Sequence, residues 1–289
     1  MGFAIVTDST CDLSADEYAS LNITMVPLSI LVGEETFKDQ VDISSQEFYE
    51  RMAASETLPQ TSQPTPYDFK QVYEQLAAQG ADGILSVHIA GALSGTVNSA
   101  RAAAEEVDIP VRVLDASAAG ATASLGIVTK LACQMRDAGT SLSDTAEKVD
   151  ELFHKSCFLV APETLENLLK GGRLSADQVK TASLLNIKPI FSFDEGGVLG
   201  AFGKAKGMRG VVKAFVEEIQ KHTEEQGKQC VRFCHTGNEK LVDDLKAALV
   251  DADVDYIDFG TCLCGATVAT HLGAGALGVG MVAAALMEN

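Results

Sequence analysis

Residues 90–100, Ala-Gly-Ala-Leu-Ser-Gly-Thr-Val-Asn-Ser-Ala, set one hydroxyl, Ser94, beside one flexible residue, Gly95, between two patterned segments. The apolar run 83–89 ahead of them predicts a buried strand, and residues 97–107 behind them predict a helix. Open α/β sheets bind ligands outside the carboxyl ends of their strands. A helix start at that point adds free N–H groups and a positive dipole end, which suit an anion. Read alone, Ser94 is equally an ordinary N-cap. Other donors could converge on it. Thr61 and Ser62 lie among Pro59, Pro64 and Pro66, which exclude helix and central strand and predict a stiff, extended loop over 58–66. Such a loop is either a solvated connector or a mount whose donors lose little entropy on binding. A helix over 164–170 should end at Gly171, throwing Arg173 out on a glycine-hinged turn, as a surface ion pair or as an anion or partner contact. His271 stands in the glycine-dense stretch 270–278. A lone His is commonly structural, although glycines let backbone approach a ligand closely.

Three chemistries can be weighed on these residues. A serine hydrolase would pair Ser94 with His271 and use Asp8 or Asp115 as orienter. However, Gly-Ala-Leu-Ser-Gly lacks the first glycine of the G-x-S-x-G elbow. A metal site would draw on Cys230, Cys234, His235, Cys262, Cys264 and His271, but no C-x-x-C spacing is present. A nucleotide site would need a phosphate loop or a dinucleotide fingerprint after the first strand, and neither occurs. Thr61, Ser62, Ser94 and His271 remain as neutral donors without an activated nucleophile. That set suits holding a carboxylate or phosphate, and with apolar walls it suits an amphiphile with one acidic end.

The elements that must position these residues follow from the rest of the chain. The 289 residues allow one large or two ordinary domains, and 46% apolar with 21% charged residues is usual for a folded, soluble chain. A net charge of −18 speaks against nucleic-acid and anionic-membrane binding, and the absence of Trp against Trp stacking. Seven cysteines and a start without a basic signal region predict reduced thiols and a cytoplasmic protein. Residues 259–287 carry no Asp, Glu, Lys or Arg, but their Gly/Ala content predicts a buried strand plus a small-residue helix rather than a membrane span. Residues 3–7 predict a strand ending in polar Asp8 to Asp12. Pro27 makes 23–32 an edge strand or a broken one, and a long helix is expected over 116–136. Strands and helices alternate up to about residue 157, predicting an α/β domain over 1–157 with a mainly parallel sheet flanked by helices. Short strands and the turn Asp194-Glu195-Gly196-Gly197 predict an α+β domain over 158–289 with a mostly antiparallel sheet.

Several motifs together resemble the DegV family, the fatty-acid-binding proteins of bacteria. They are Thr7-Asp8-Ser9-Thr10-Cys11-Asp12-Leu13, Thr61-Ser62-Gln63-Pro64, Leu93-Ser94-Gly95-Thr96, Leu169-Lys170-Gly171-Gly172-Arg173-Leu174-Ser175, and the run from His271 to Gly278. They occur in the family's order and spacing and span nearly the whole chain. The resemblance implies a long-chain fatty acid buried between or beneath two domains. Its carboxylate would be held by Thr61, Ser94 and His271, with Ser62 and Gly95 beside them and Arg173 near the site or at a partner's docking surface. The partner implied is the ATP-binding subunit of a fatty-acid kinase, which makes acyl phosphate for phospholipid synthesis. The chain itself would then be a non-catalytic carrier with no cofactor beyond the bound acid. The alternatives are an acyl-ester hydrolase using Ser94 and His271, and a binder of another acidic amphiphile. The chain departs from the family pattern at Ala90, Gly91, Val97, Ala116 and Ala274, and these positions are expected to lie close to the proposed site.

Overall fold

A computed structural model describes residues 2–55, 57–175 and 186–287. The chain opens with β1 (Ala4–Asp8), whose last four residues are buried, and a 3-10 turn over Ser9–Cys11. Next come α1 (Ala15–Ser20), β2 (Ile23–Val26), β3 (Ser29–Val32), β4 (Glu35–Lys38) and α2 (Ser45–Ala54). They are followed by β5 (Gln60–Ser62), α3 (Pro66–Ala78), β6 (Ile84–His88), α4 (Thr96–Ala104) and β7 (Val111–Asp115). Helices α5 (Thr122–Asp137) and α6 (Leu142–Lys155) end this half. Local chemistry sets several helix starts. Ser14 with Glu17, Ser44 with Glu47 and Thr65 with Asp68 form reciprocal caps, and Pro66 occupies the first turn of α3, where its missing N–H costs nothing.

The second half contains β8 (Cys157–Ala161), α7 (Glu166–Lys170), β9 (Ile187–Phe193), β10 (Leu199–Lys206) and α8 (Gly207–Gln226). It continues with β11 (Gln229–His235), α9 (Glu239–Asp251), β12 (Tyr256–Leu263), α10 (Ala266–Leu272) and β13 (Leu277–Ala283). Among the described residues the first sheet has the order β2-β1-β6-β7, parallel throughout. The second runs β10-β9-β8-β13-β11-β12 and is antiparallel except for the β11–β12 pair. The architecture is thus an α/β layer with a parallel sheet joined to an α+β layer with a mostly antiparallel one. The uncharged run 259–287 resolves into the end of β12, α10 and β13, and no helix among the described residues is long and apolar enough to cross a membrane.

A third sheet, β4-β3-β5, goes beyond the strands expected from sequence. Pro27 breaks the 23–32 run, so β2 joins the parallel sheet while β3 pairs antiparallel with β4 and β5. The 58–66 loop is extended, as its prolines require, but its centre is hydrogen-bonded as an edge strand, with Ile30 opposite Thr61. The long helix expected from residue 116 begins only at Thr122. Gly120 and Thr122 both have positive φ, 71° and 46°, which holds 116–121 in turns.

Helix α5 ties the sheets together. Leu125, Ile127, Val128 and Leu131 pack in one core with Ile5, Leu85 and Val87 of the parallel sheet and with Cys230 and Val282 of the mixed sheet. Arg232, on β11 and 1% exposed, reaches across the same junction. Its Nη2 donates to the Asp12 carbonyl at 2.8 Å and its Nη1 to the Cys11 carbonyl at 3.3 Å. Gly126 lies beneath the guanidinium, and a Cβ there would overlap Nη1.

Candidate functional site

A cavity of about 280 Å³ lies where β5, the β6–α4 turn, the start of α5, β8, the β9–β10 hairpin and α10 meet. Thr61, Ser62, Ser94, Gly95, Arg173 and His271 all line it, although they are spread across the chain. Phe158, Val160, Leu168, Leu199 and Leu272 supply buried apolar wall. Phe193 adds a ring that packs on Phe158 with centroids 5.7 Å apart and sits where a side chain on Gly120 would be. Ser62 and Gln63 are exposed, so the polar end meets solvent while the apolar end runs into the core.

The polar end is built by three short-range devices. His271, in the last turn of α10, places Nε2 2.9 Å from Thr61 Oγ1 on β5. Its Nδ1 is buried and has no hydrogen-bond partner among the described residues. The ring abuts Gly171, where a Cβ would overlap Nδ1 and approach the Asn167 carbonyl to 2.8 Å. Burial, and then the positive charge of Arg173, push the imidazole pKa down to about 4, so it is neutral at physiological pH. Asn167 Nδ2 donates to the Thr270 carbonyl at 2.9 Å and fixes α7 against α10.

Ser94 precedes α4, whose N-cap position is Gly95. Its Oγ lies 2.8 Å from Thr96 Oγ1 and accepts from the Thr96 N–H at 3.3 Å. The hydroxyl therefore steadies the helix start and also faces the cavity. Arg173 is half-buried; its Nη1 donates to the Gly171 carbonyl at 2.8 Å, and Nε and Nη2 to the Leu93 carbonyl at 3.3 Å. It thereby bridges the α7 turn and the Ser94 turn. Burial lowers its pKa, yet a guanidinium starts so high that the cation persists.

Gln63 is a site residue that sequence reasoning missed. Its side-chain amide occupies the place of a Gly95 side chain, and its Nε2 donates to Ser99 Oγ at 3.0 Å. The glycine at 95 was the available signal, because a Cβ there would collide. None of Ala90, Gly91, Val97, Ala116 and Ala274 is among the residues that line the cavity. Gly91 instead leaves room for the Asp115 carboxylate, which accepts from the Gly91 N–H at 2.9 Å, and Ala274 lines a separate surface groove.

Asp8 is committed to His88, Thr10 and the Ile89 N–H, and Asp115 to Gly91, so neither orients His271. The cysteines are free, and no group of His, Cys, Asp and Glu among the described residues could hold a metal ion.

A family model described as an uncharacterised protein of the DegV family matches residues 2–284. A DegV domain-containing protein of Deinococcus radiodurans is 35% identical over 282 residues, covering 97% of this chain and 98% of its own. Solved structures are also similar. A DegV family protein of Thermus thermophilus, described for its fatty acid binding, shares 30% identity at a TM-score of 0.90, covering 98% of this chain and 100% of its own. DegV of Bacillus subtilis, a fatty acid binding protein, shares 28% identity at a TM-score of 0.86, covering 98% and 99%.

Proposed function

The chain belongs to the DegV family, and from that premise we propose that it binds a long-chain fatty acid and presents its carboxylate to a separate ATP-binding kinase subunit. The observation that carries this reading is the polarity of the cavity. Thr61, Ser94, Arg173 and His271 bring polar groups to a cavity that is otherwise walled by buried Phe158, Val160, Leu199 and Leu272. An acid bound head-outward keeps its carboxylate accessible and removes its tail from water, where each buried CH₂ contributes about 0.8 kcal/mol. The neutral imidazole and the two hydroxyls hold a carboxylate without neutralising it, and Arg173 supplies the cation. No step of phosphoryl transfer is assigned to this chain, whose sequence has no phosphate loop.

The direct test is mass spectrometry of the purified protein, native and after solvent extraction. A stoichiometric long-chain fatty acid is expected. A lipid-free mass that stays unchanged when fatty acids are added refutes the reading.

Two variants probe the polar end. Ser94→Ala is expected to weaken fatty-acid binding by roughly 1–3 kcal/mol, the worth of a hydrogen bond to a charged group. Calorimetric titration checks it, and unchanged affinity rejects Ser94 as a carboxylate ligand. Arg173→Ala leaves the Thr61–His271 pair and the Ser94 hydroxyl in place. It is expected to keep fatty-acid affinity within roughly tenfold, about 1.4 kcal/mol, while abolishing phosphorylation by the kinase subunit. Wild-type acyl-phosphate yield from this variant would assign the turn another role.

A further inference from the structure

We infer that Asp39, outside the cavity and 227 residues from the helix it holds, is the positioning residue that sets the Thr61–His271 pair. The inference rests on the fatty-acid reading above for its functional meaning, but its geometry stands independently.

Asp39 follows β4 and is 1% exposed. Its Oδ1 accepts from the Ala266 N–H at 3.1 Å. Its Oδ2 accepts from the Thr267 N–H at 3.2 Å, Thr267 Oγ1 at 2.6 Å and Ser9 Oγ at 3.1 Å. Three of these four donors belong to the first turn of α10. That helix has seven residues and a glycine, Gly265, at its N-cap, so it has no cap of its own. Isolated helices this short do not hold themselves in water, and their place comes from tertiary contacts. A carboxylate from a remote segment here does the work of the missing cap.

The connection to the site is short on both sides. His271 is four residues after Thr267, one turn along the same helix face. On the other side, β4 pairs with β3 and β3 with β5, where Ile30 faces Thr61. Asp39 also donates its N–H to the Leu28 carbonyl at 2.9 Å, just ahead of β3. The three-stranded sheet therefore fixes Thr61 relative to Asp39, and Asp39 fixes α10 relative to that sheet. The 2.9 Å contact between Thr61 and His271 closes the circuit.

Asp39→Asn separates positioning from general support. The amide keeps the shape, but it replaces an acceptor with a donor that opposes the N–H groups of α10. In the folded variant, fatty-acid affinity is expected to fall roughly 10–100-fold, corresponding to about 1.4–2.7 kcal/mol. The His271 imidazole, followed by NMR and assigned with a His271→Gln variant, is expected to titrate above the wild-type value of about 4 and toward 6.5 as it leaves its buried seat.

A folded Asp39→Asn variant with wild-type affinity and wild-type His271 titration overturns the inference. So does one that is less stable and binds more weakly while His271 titrates as before, since that describes a structural role only. If Asp39→Asn does not fold, Ser9→Ala decides. It removes one donor from Asp39 and, with it, the acceptor of the Leu28 N–H, and smaller changes in the same sense are expected in both measurements. Unchanged values in both would overturn the inference. Failure of the wild-type protein to bind any fatty acid defeats the functional reading instead, and the His271 titration still tests the positioning.

Discussion

Arg232→Ala is expected to destabilise the protein by roughly 3–5 kcal/mol, the usual cost of removing one member of a buried polar network. The side chain is 1% exposed and is donor to two carbonyls, Cys11 and Asp12, in the turn that ends the first strand. Its loss leaves both acceptors buried without that partner and opens space between the sheets. The paired substitution is more diagnostic. Gly126→Ala lies in the interior of α5, where exchanging glycine for alanine ordinarily gains about 1 kcal/mol. Here the new Cβ would overlap the Arg232 guanidinium, so the change is expected to be destabilising. With Arg232 already Ala, the close neighbour left is the Cys11 carbonyl at 3.2 Å, and Gly126→Ala should cost much less than in the wild type. Urea unfolding of the four proteins measures the coupling, and simple additivity would show that the guanidinium does not lie against α5.

Acid is expected to weaken the protein through His271. In the unfolded chain this imidazole takes a proton near pH 6.5, and in the folded protein only near pH 4, because burial and then the Arg173 charge oppose it. Between those values the unfolded chain binds a proton that the folded one does not. The stabilisation is therefore complete above pH 6.5 and is lost as pH falls toward 4, by roughly 3 kcal/mol at about 1.4 kcal/mol per pH unit. His235 is shifted in the same sense by burial, while Asp12 and Asp39 are shifted upward and act oppositely. The informative quantity is thus the difference between wild-type protein and His271→Gln, both lipid-free so that ligand linkage does not enter. Stability measured from pH 7 to pH 4.5 should fall more steeply for the wild type. Parallel curves would mean that the ring is hydrated and ordinary.

The two pH-linked and packing effects show where sequence was sufficient and where it was not. Ser94 could be found because strand, turn and helix signals are local and adjacent. Thr61 could be found because three prolines announce an extended mount, and Arg173 and His271 because glycines surround them. What local pattern does not contain is partnership. Nothing near Asp39 indicates that its carboxylate serves the first turn of α10, since its donors are 227 and 228 residues away. The strand character of β5 is likewise decided by β3, whose free edge it satisfies, and not by its own residues. Gln63 and Gly95 explain one another only in three dimensions. The late start of α5 came from positive φ angles at Gly120 and Thr122. A β-branched residue gives no warning of such a conformation, because tertiary packing imposes it.

The place of β13 governs how the protein can be made. This strand sits between β8 and β11 in the middle of the mixed sheet, yet it is the last of the six strands to leave the ribosome. While translation proceeds at roughly 5–20 residues per second, β8 and β11 are available with open, adhesive edges and no partner between them. The parallel sheet can assemble early from β1, β2, β6 and β7, but the cavity cannot, because its wall includes α10 just ahead of β13. A nascent chain stalled before residue 277 should therefore be a client of chaperones and proteases, with no finished cavity.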